Sequence, residues 1–492
     1  MSDIQPPVKL SERLFRSSLC LFRILLLILL GLGLGGSPTF SQQSWTRTYG
    51  GTFDDVGYSV RQTLDGGYII TGWTRSFGSG GEDVYLIKTD ASGNPSWSST
   101  YGGTNNDEGH SVQQTSEGGY IIAGNTNSFG AGNWDFYLIK TDASGNPTWS
   151  RAYGGTNIEA ARCVQQTTPD GGYVIVGWTT SFGAGGGDVY LIKTDASGNP
   201  TWTRTYGGIR DDLGYSVQQT TPDGGYIITG WTKSVGDTSG DVYIIKTDAS
   251  GNLSWSRAYG GASNDEGHSV RQTTSDGGYI IAGQTYSFGA GGCDVYLIKT
   301  DASGNLLWTR TYGGTLDDQG WSVWQTLNGG YIISGNAKSF GAGVWDVYVV
   351  RTNASGATNW TWTWGGTNDD AGRSAQQTSD GGVIITGWTL SFGSGGGDVY
   401  LIKTTDPPSG VEEGKGQGFE GSKGQGLKIT PNPFTAFASV PGQEGERFSL
   451  YDISGRMVGT YRGDRIGEGL APGVYFVGAH GRAPLLRIVK VR

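Results

Sequence analysis

Cysteine is nearly missing from this chain of 492 residues: only Cys20, Cys163 and Cys293 occur. Cys163 and Cys293 fall in different parts of the sequence, so no disulfide framework supports the fold and stability has to come from packing. Histidine is as scarce, with His110, His268 and His480 the whole supply, which leaves no histidine-based metal cluster and no nucleophilic triad to assemble. Charged side chains are only 16% of the sequence and the net charge is −9. Residues 1–41 contribute +2, residues 405–426 −2 and residues 427–492 +4, so residues 42–404 carry −13. So acidic a region lacks the basic patch that phosphates need, which argues against nucleic acid as a partner. Long apolar runs are missing too. Ile24–Leu34 is well short of the roughly 20 residues of a membrane-spanning helix. Preceded by Lys9, Arg13, Arg16 and Arg23 and followed by the small residues Thr39 and Ser41, it reads as the core of a secretory signal over 1–41, with no stable transmembrane segment after processing. An uncleaved anchor is the alternative, because the basic region is long.

What the chain has in quantity is glycine (88), tyrosine (25) and tryptophan (17), a loading that points to many short strands and tight turns. Tryptophan marks a repeat: Trp45, Trp97, Trp149, Trp202, Trp255, Trp308 and Trp360 follow one another every 52 or 53 residues. One unit runs from Trp97 through Tyr101-Gly-Gly, an acidic loop, Gly109-His-Ser-Val-Gln-Gln, Gly118-Gly-Tyr-Ile-Ile-Ala-Gly, a glycine loop and Asp135-Phe-Tyr-Leu-Ile-Lys to the turn Asp142-Ala-Ser-Gly-Asn. Its four apolar or aromatic runs are short, rich in β-branched and aromatic residues and bounded by turn formers, so each is a strand. Asp and Asn bond their own backbone in such turns, and Gly accepts positive φ.

Seven four-stranded units predict an all-β, seven-bladed propeller over 42–404. The sequence enters on the tryptophan strand Trp45–Tyr49 and leaves on Asp398–Lys403. The N-terminal strand is therefore expected to complete the blade that begins near Ser374, closing the ring without a raw sheet edge. In that order the loops entering the innermost strand (Gly50 to Gly57) and joining the second and third strands (Thr74 to Asp83) share one face, where binding is expected.

Three columns of residues are candidates on that face. Asp55, Asp107, Glu159, Asp212, Asp265, Asp318 and Asp370 are acidic in every unit. They offer hard oxygen ligands for Ca²⁺ or, more simply, cap their own turns. Asp83, Asp135, Asp188, Asp241, Asp294, Asp346 and Asp398 are expected to start the third strands. The third column varies: Tyr58, His110, Arg162, Tyr215, His268, Trp321 and Arg373, with Trp134 and Trp345 on the neighbouring loop. Aromatic faces stack on sugar rings, and His and Arg donate to hydroxyls or anions, so glycan recognition is one reading. Packing between blades is the other, since Tyr58 alternates onto the same strand face as Val60. Catalysis needs broken symmetry, and the one departure is Glu159-Ala-Ala-Arg-Cys163, where Glu159 is a candidate acid and drift of a tolerated loop the simpler explanation. No cofactor is implied.

The units ending Gly-Gly-Tyr-Ile-Ile-x-Gly and Asp-Ala-Ser-Gly-Asn-x-x-Trp resemble the propeller repeats of secreted bacterial surface proteins. Past Thr404, the stretch 405–426 has neither periodicity nor enough apolar surface to fold and reads as a flexible linker. Residues 427–492 resemble the type A C-terminal sorting domain of the type IX secretion system. The resemblance is carried by Ile429-Thr-Pro-Asn-Pro-Phe434 (with Pro431, Asn432 and Pro433), Leu450-Tyr-Asp-Ile-Ser-Gly455-Arg456, Gly469-Leu-Ala-Pro-Gly473-Val-Tyr475-Phe-Val477 and Ile488-Val-Lys-Val-Arg. It implies a small C-terminal β-sandwich, the type IX secretion machinery as partner, and export across the outer membrane of a Gram-negative bacterium to the surface or medium. The functional expectation is a noncatalytic recognition module for an extracellular glycan or protein. The alternative is a secreted carbohydrate-active enzyme resembling glycoside hydrolases.

Overall fold

The computed structural model describes residues 44–405 except 237 and, nearer the C-terminus, residues 447–451, 457–462, 464–466, 468, 470, 473–479 and 486–490. The expected signal, almost all of the linker, and Pro431, Asn432, Pro433, Gly455 and Arg456 lie outside the described residues. The chain divides into two units, 1–418 and 419–492.

The first unit is a seven-bladed propeller of four-stranded antiparallel sheets. Blade one takes its inner strand from Asp55–Gln62, its second from Tyr68–Thr74, its third from Asp83–Thr89 and its outer strand from Pro95–Tyr101, paired in that order. Five further blades repeat the pattern. Blade seven contributes Asp370–Gln377, Val383–Thr389 and Asp398–Thr404, and its outer strand is Trp45–Tyr49 from the other end of the chain. The register runs from Trp45 opposite Lys403 to Tyr49 opposite Val399, the closure that the repeat phase predicts. Every third strand starts at its expected aspartate.

Second and third strands are buried on both faces, which is why Tyr-Ile-Ile and Val-Tyr-Leu-Ile run without polar alternation. The core lies between blades rather than within one layer. Val60, Tyr68, Ile70, Tyr85 and Ile87 of blade one pack with Tyr49, Ile384, Val399 and Leu401 of blade seven. Trp45 meets Tyr68 edge-on at 6.0 Å and lies against the turn at Gly93 (φ +76°), where any Cβ would come within 2.5 Å of the indole. Tyr49 Oη donates to Gly93 O at 2.7 Å. Each outer-strand tyrosine thus ties its blade to the Ala-Ser-Gly turn of the next, as Tyr101 does to Gly145 (2.6 Å) and Tyr206 to Gly251 (2.7 Å). Blade six breaks the series with Trp364. Its neighbour, blade seven, has no such turn, because the chain is interrupted there to admit the N-terminal strand. Among the described residues no glycine carbonyl awaits a hydroxyl there, and Trp364 Nε1 is buried without a partner.

The inner strands have no fifth strand beside them, and side chains of the preceding blade take up part of their free edge. Ser111 Oγ accepts from Val164 N at 3.2 Å, and Gln113 Oε1 from Gln166 N at 2.7 Å. Gln165, Gln218 and Gln376 serve the next blades in the same way at 2.7–2.9 Å. Cys163 stands where most blades have this serine. Its Sγ lies 3.7 Å from Val217 O instead.

Strands Arg447–Tyr451, Met457–Arg462, Gly473–Ala479 and Leu486–Lys490 form one antiparallel sheet in the second unit, with Arg447–Tyr451 between Met457–Arg462 and Gly473–Ala479. Phe448 and Leu450 are buried. Gly473 and Tyr475 fall on one strand of this sheet. The second layer of the expected sandwich is not among the described residues.

Candidate binding site at the centre of the ring

Each inner strand carries a β-bulge after its third residue: between Gly57 and Ser59, Gly109 and Ser111, Ala161 and Cys163, Gly214 and Ser216, Gly267 and Ser269, Gly320 and Ser322, and Gly372 and Ser374. The residue left unpaired is Tyr58, His110, Arg162, Tyr215, His268, Trp321 or Arg373, the whole variable column. This corrects the expected alternation of Tyr58 with Val60. The extra residue shifts the pleat, so Val60 enters the core between blades while Tyr58 stacks on His110 at 4.7 Å.

Around the ring these side chains form two runs of contacts, Tyr58–His110–Arg162 and Tyr215–His268–Trp321–Arg373. His110 Nε2 lies 3.0 Å from Arg162 Nη1. Tyr215 stacks on His268 at 5.1 Å, His268 on Trp321 at 4.3 Å, and the Arg373 guanidinium sits 4.2 Å from the Trp321 centroid. The column thus packs, but on itself across neighbouring blades. Glu108 approaches His110 Nε2 at 2.8 Å and Asn125 Nδ2 at 3.2 Å. Burial opposes its ionisation, but the His110 bond and the charges around it hold its carboxyl down to about 2. Burial and then Arg373 push the His268 imidazole down to about 3, and burial with Arg162 lowers that of His110. The His268 imidazole is therefore neutral at physiological pH. Glu266 is raised, chiefly by burial.

On the side of blades five to seven, Gln284 Oε1, Trp321 Nε1 and Arg373 Nε are buried and have no hydrogen-bond partner among the described residues, and His268 Nε2 has only the Glu266 Oε2 at 3.5 Å. Buried polar groups normally find partners, so three unmatched atoms and one poorly matched one mark a place suited to a polar ligand. Trp134 and Trp345 lie just before the third strands and are half-buried. Lys338 Nζ lies 4.4 Å from the Trp345 ring, and no contact joins either indole to the central stack.

The acidic column sits elsewhere and caps turns. Asp55 Oδ2 accepts from Gly51 N at 2.8 Å and Ser76 Oγ at 2.7 Å, and Asp107 Oδ2 from Gly103 N at 2.8 Å and Ser128 Oγ at 2.6 Å. Asp212, Asp265, Asp318 and Asp370 hold the glycine N–H four residues back at 2.7–2.8 Å. Glu159 is 0% exposed, with Oε2 on Gly155 N (2.6 Å) and Oε1 on Thr179 Oγ1 (2.6 Å) and Ser181 N (3.2 Å). Both oxygens are thus committed to the turn that Glu159 caps. At each junction the cap meets the third-strand aspartate of the preceding blade. Gly102 fits between Asp83 and Asp107 because it has no Cβ: one would fall 2.6 Å from Asp107 Oδ2 and closer still to Asp83 Oδ1. Sequence reasoning missed this pairing, though two aspartate columns bracketing an invariant Gly-Gly was its signal. Among the described residues no three His, Cys, Asp or Glu side chains are grouped to hold a metal ion.

No protein-family model matches the chain. It is 24% identical over 475 residues to the regulatory protein FlaEY of Caulobacter vibrioides, an alignment spanning 76% of this chain and 48% of that protein; the chain thus spans about half the length of this relative. Among solved structures it is similar to the Neurospora crassa Pan2 WD40 domain (10% identity, 70% of this chain and 88% of that one, TM-score 0.43). It is also similar to Chaetomium thermophilum Sqt1 bound to the N-terminus of the ribosomal protein L10 (13%, 72% and 98%, TM-score 0.40). A Dyadobacter fermentans protein of unknown function is a further match (13%, 73% and 98%, TM-score 0.39).

Proposed function

We propose that the propeller is a noncatalytic recognition module that takes a polar, hydroxyl-bearing ligand, of the glycan class, at the bulge ring. The observation that carries this reading is the stack of Trp321, His268 and Arg373, where Trp321 Nε1, Arg373 Nε and the nearby Gln284 Oε1 are buried and unmatched among the described residues. Both donors and an acceptor are unmatched there, and a sugar hydroxyl supplies both complements. Variation confined to the bulge, in repeats otherwise held nearly constant, supports it as well. The enclosed Glu159 favours binding over hydrolysis. The basic-then-apolar leader and the C-terminal motifs support export through the type IX route, with residues 427–492 as a β-sandwich sorting domain.

The test is a glycan and polysaccharide screen of the purified protein that scores retention and product release separately. Retention without cleavage, lost in Trp321→Ala, is expected; turnover, or retention indifferent to Trp321, refutes the reading. Deleting 427–492 in the native host is expected to leave the propeller in the periplasm, and undiminished surface display refutes the export route.

A further inference from the structure

At the opposite mouth of the ring, near the short turns between inner and second strands, the inner strands present a second column: Arg61, Gln113, Gln165, Gln218, Arg271, Trp324 and Gln376. All seven line a cavity of about 670 Å³. Four blades keep glutamine for the structural reason given above: its Oε1 accepts a backbone N–H of the next inner strand. Arginine and tryptophan have no acceptor, so blades one, five and six give up that bond. In exchange the three replacements gather together. The Arg61 guanidinium lies 5.8 Å and that of Arg271 5.3 Å from the Trp324 centroid.

Among the described residues no carboxylate compensates the charge there. Burial, and then Arg271 beside it, hold Arg61 down to about 10; burial lowers Arg271 as well, and no carboxylate is among the groups acting on either. Arg271 Nε is buried with no hydrogen-bond partner among the described residues. The acids of the neighbouring turns are spent on lysines at 2.5–2.8 Å, Asp65 on Lys88, Asp170 on Lys193 and Asp223 on Lys246, and none lines the cavity. Each Gln Oε1 already accepts a backbone N–H, which leaves the carboxamide N–H groups as the freer side. The column facing the mouth therefore brings two guanidiniums and four carboxamides, with no carboxylate in the lining. A neutral sugar, whose hydroxyls bring donors along with acceptors, fits it poorly, whereas a group made only of acceptor oxygens with negative charge fits it well.

We propose that this mouth is an oxyanion site, binding a sulfate, phosphate or carboxylate group between Arg61 and Arg271, with the carboxamides of Gln113, Gln165, Gln218 and Gln376 as further donors. It is independent of the bulge ring. The test is calorimetric titration of the full-length protein, at constant ionic strength, with inorganic sulfate, inorganic phosphate and a capped tetraglutamate peptide; the tightest of the three identifies the source of the oxygens. The decisive variant is Arg61→Gln with Arg271→Gln. It restores the residue four blades already use, and with it the acceptor for the next strand, so folding is preserved or improved. The expected result is at least a tenfold loss of affinity for every anion that binds, with an unchanged or higher melting temperature, while Arg204→Gln on an exposed outer strand leaves anion affinity unaltered. Binding by none of the three, or binding that survives in the double variant, overturns the proposal.

Discussion

Asp346 offers a direct measure of what the carboxylate pairs between blades do to stability. It is 1% exposed, its Oδ2 accepts from Gly343 N at 2.9 Å, and it faces Asp370 across Gly365. Burial first, and then the charge of Asp370, raises its carboxyl to about 6, against about 3.9 for an unfolded aspartate. A raised carboxyl binds its proton more tightly in the folded state. It therefore destabilises the fold progressively as pH rises from about 4 through 6, and leaves a constant cost above that range. Two units correspond to about 3 kcal/mol, or roughly 4 °C in melting temperature for a cooperative unit of about 360 residues. Asp346→Asn cannot ionise, yet its Oδ1 still accepts from Gly343 N. The assay is the melting temperature of both proteins from pH 4 to 8. The variant is expected to equal or fall slightly below the parent at pH 4 and to overtake it by up to about 4 °C above pH 6.5. Parallel curves across this range refute the argument, because they mean that Asp346 keeps its ordinary affinity for protons inside the junction.

The lysine-paired turns predict the opposite slope. Asp65 is held down to about 2, with Lys88 and Thr63 overcoming its desolvation, so its contribution is complete above about pH 4 and is lost as pH falls toward 2. Asp65→Asn is expected to flatten the acid limb of the stability curve measured by circular dichroism. Deleting residues 44–49 removes the outer strand of blade seven and bares the edge of Asp398–Thr404. Expression as aggregate, or self-association on size exclusion, is expected, and a well-behaved monomer refutes the closure argument. Tyr206→Phe leaves Gly251 O without its donor and is expected to cost about 1 kcal/mol. Trp364→Tyr, at the seam where no turn carbonyl waits, is expected to gain nothing from its hydroxyl in the same denaturation assay. Gly102→Ala forces a methyl between Asp83 and Asp107 and is expected to cost about 1–3 kcal/mol.

The repeat period, the four strands per unit and the closure at blade seven were legible from the sequence alone, because glycine, aspartate and β-branched residues act over a few neighbours and the phase of a repeat survives in one dimension. The even seam at Trp364 was written there as a departure from tyrosine, but its meaning needed the missing turn of the adjacent blade. The acidic column was legible as a set of caps. That each cap confronts an aspartate of the preceding blade was not, since residues 24 apart along the chain, such as Asp83 and Asp107, meet only across a blade junction. The bulge column shows the division most sharply. Sequence identified Tyr58, His110, Arg162, Tyr215, His268, Trp321 and Arg373 as the positions free to vary, yet strict alternation gave them the wrong neighbours. Only the ring decides that a one-residue bulge turns them onto one another. Only the ring, likewise, brings Arg61, Arg271 and Trp324 together from blades one, five and six. The physical reason is the same in both cases: local chemistry makes a blade, while curvature and closure choose which side chains of different blades share one centre.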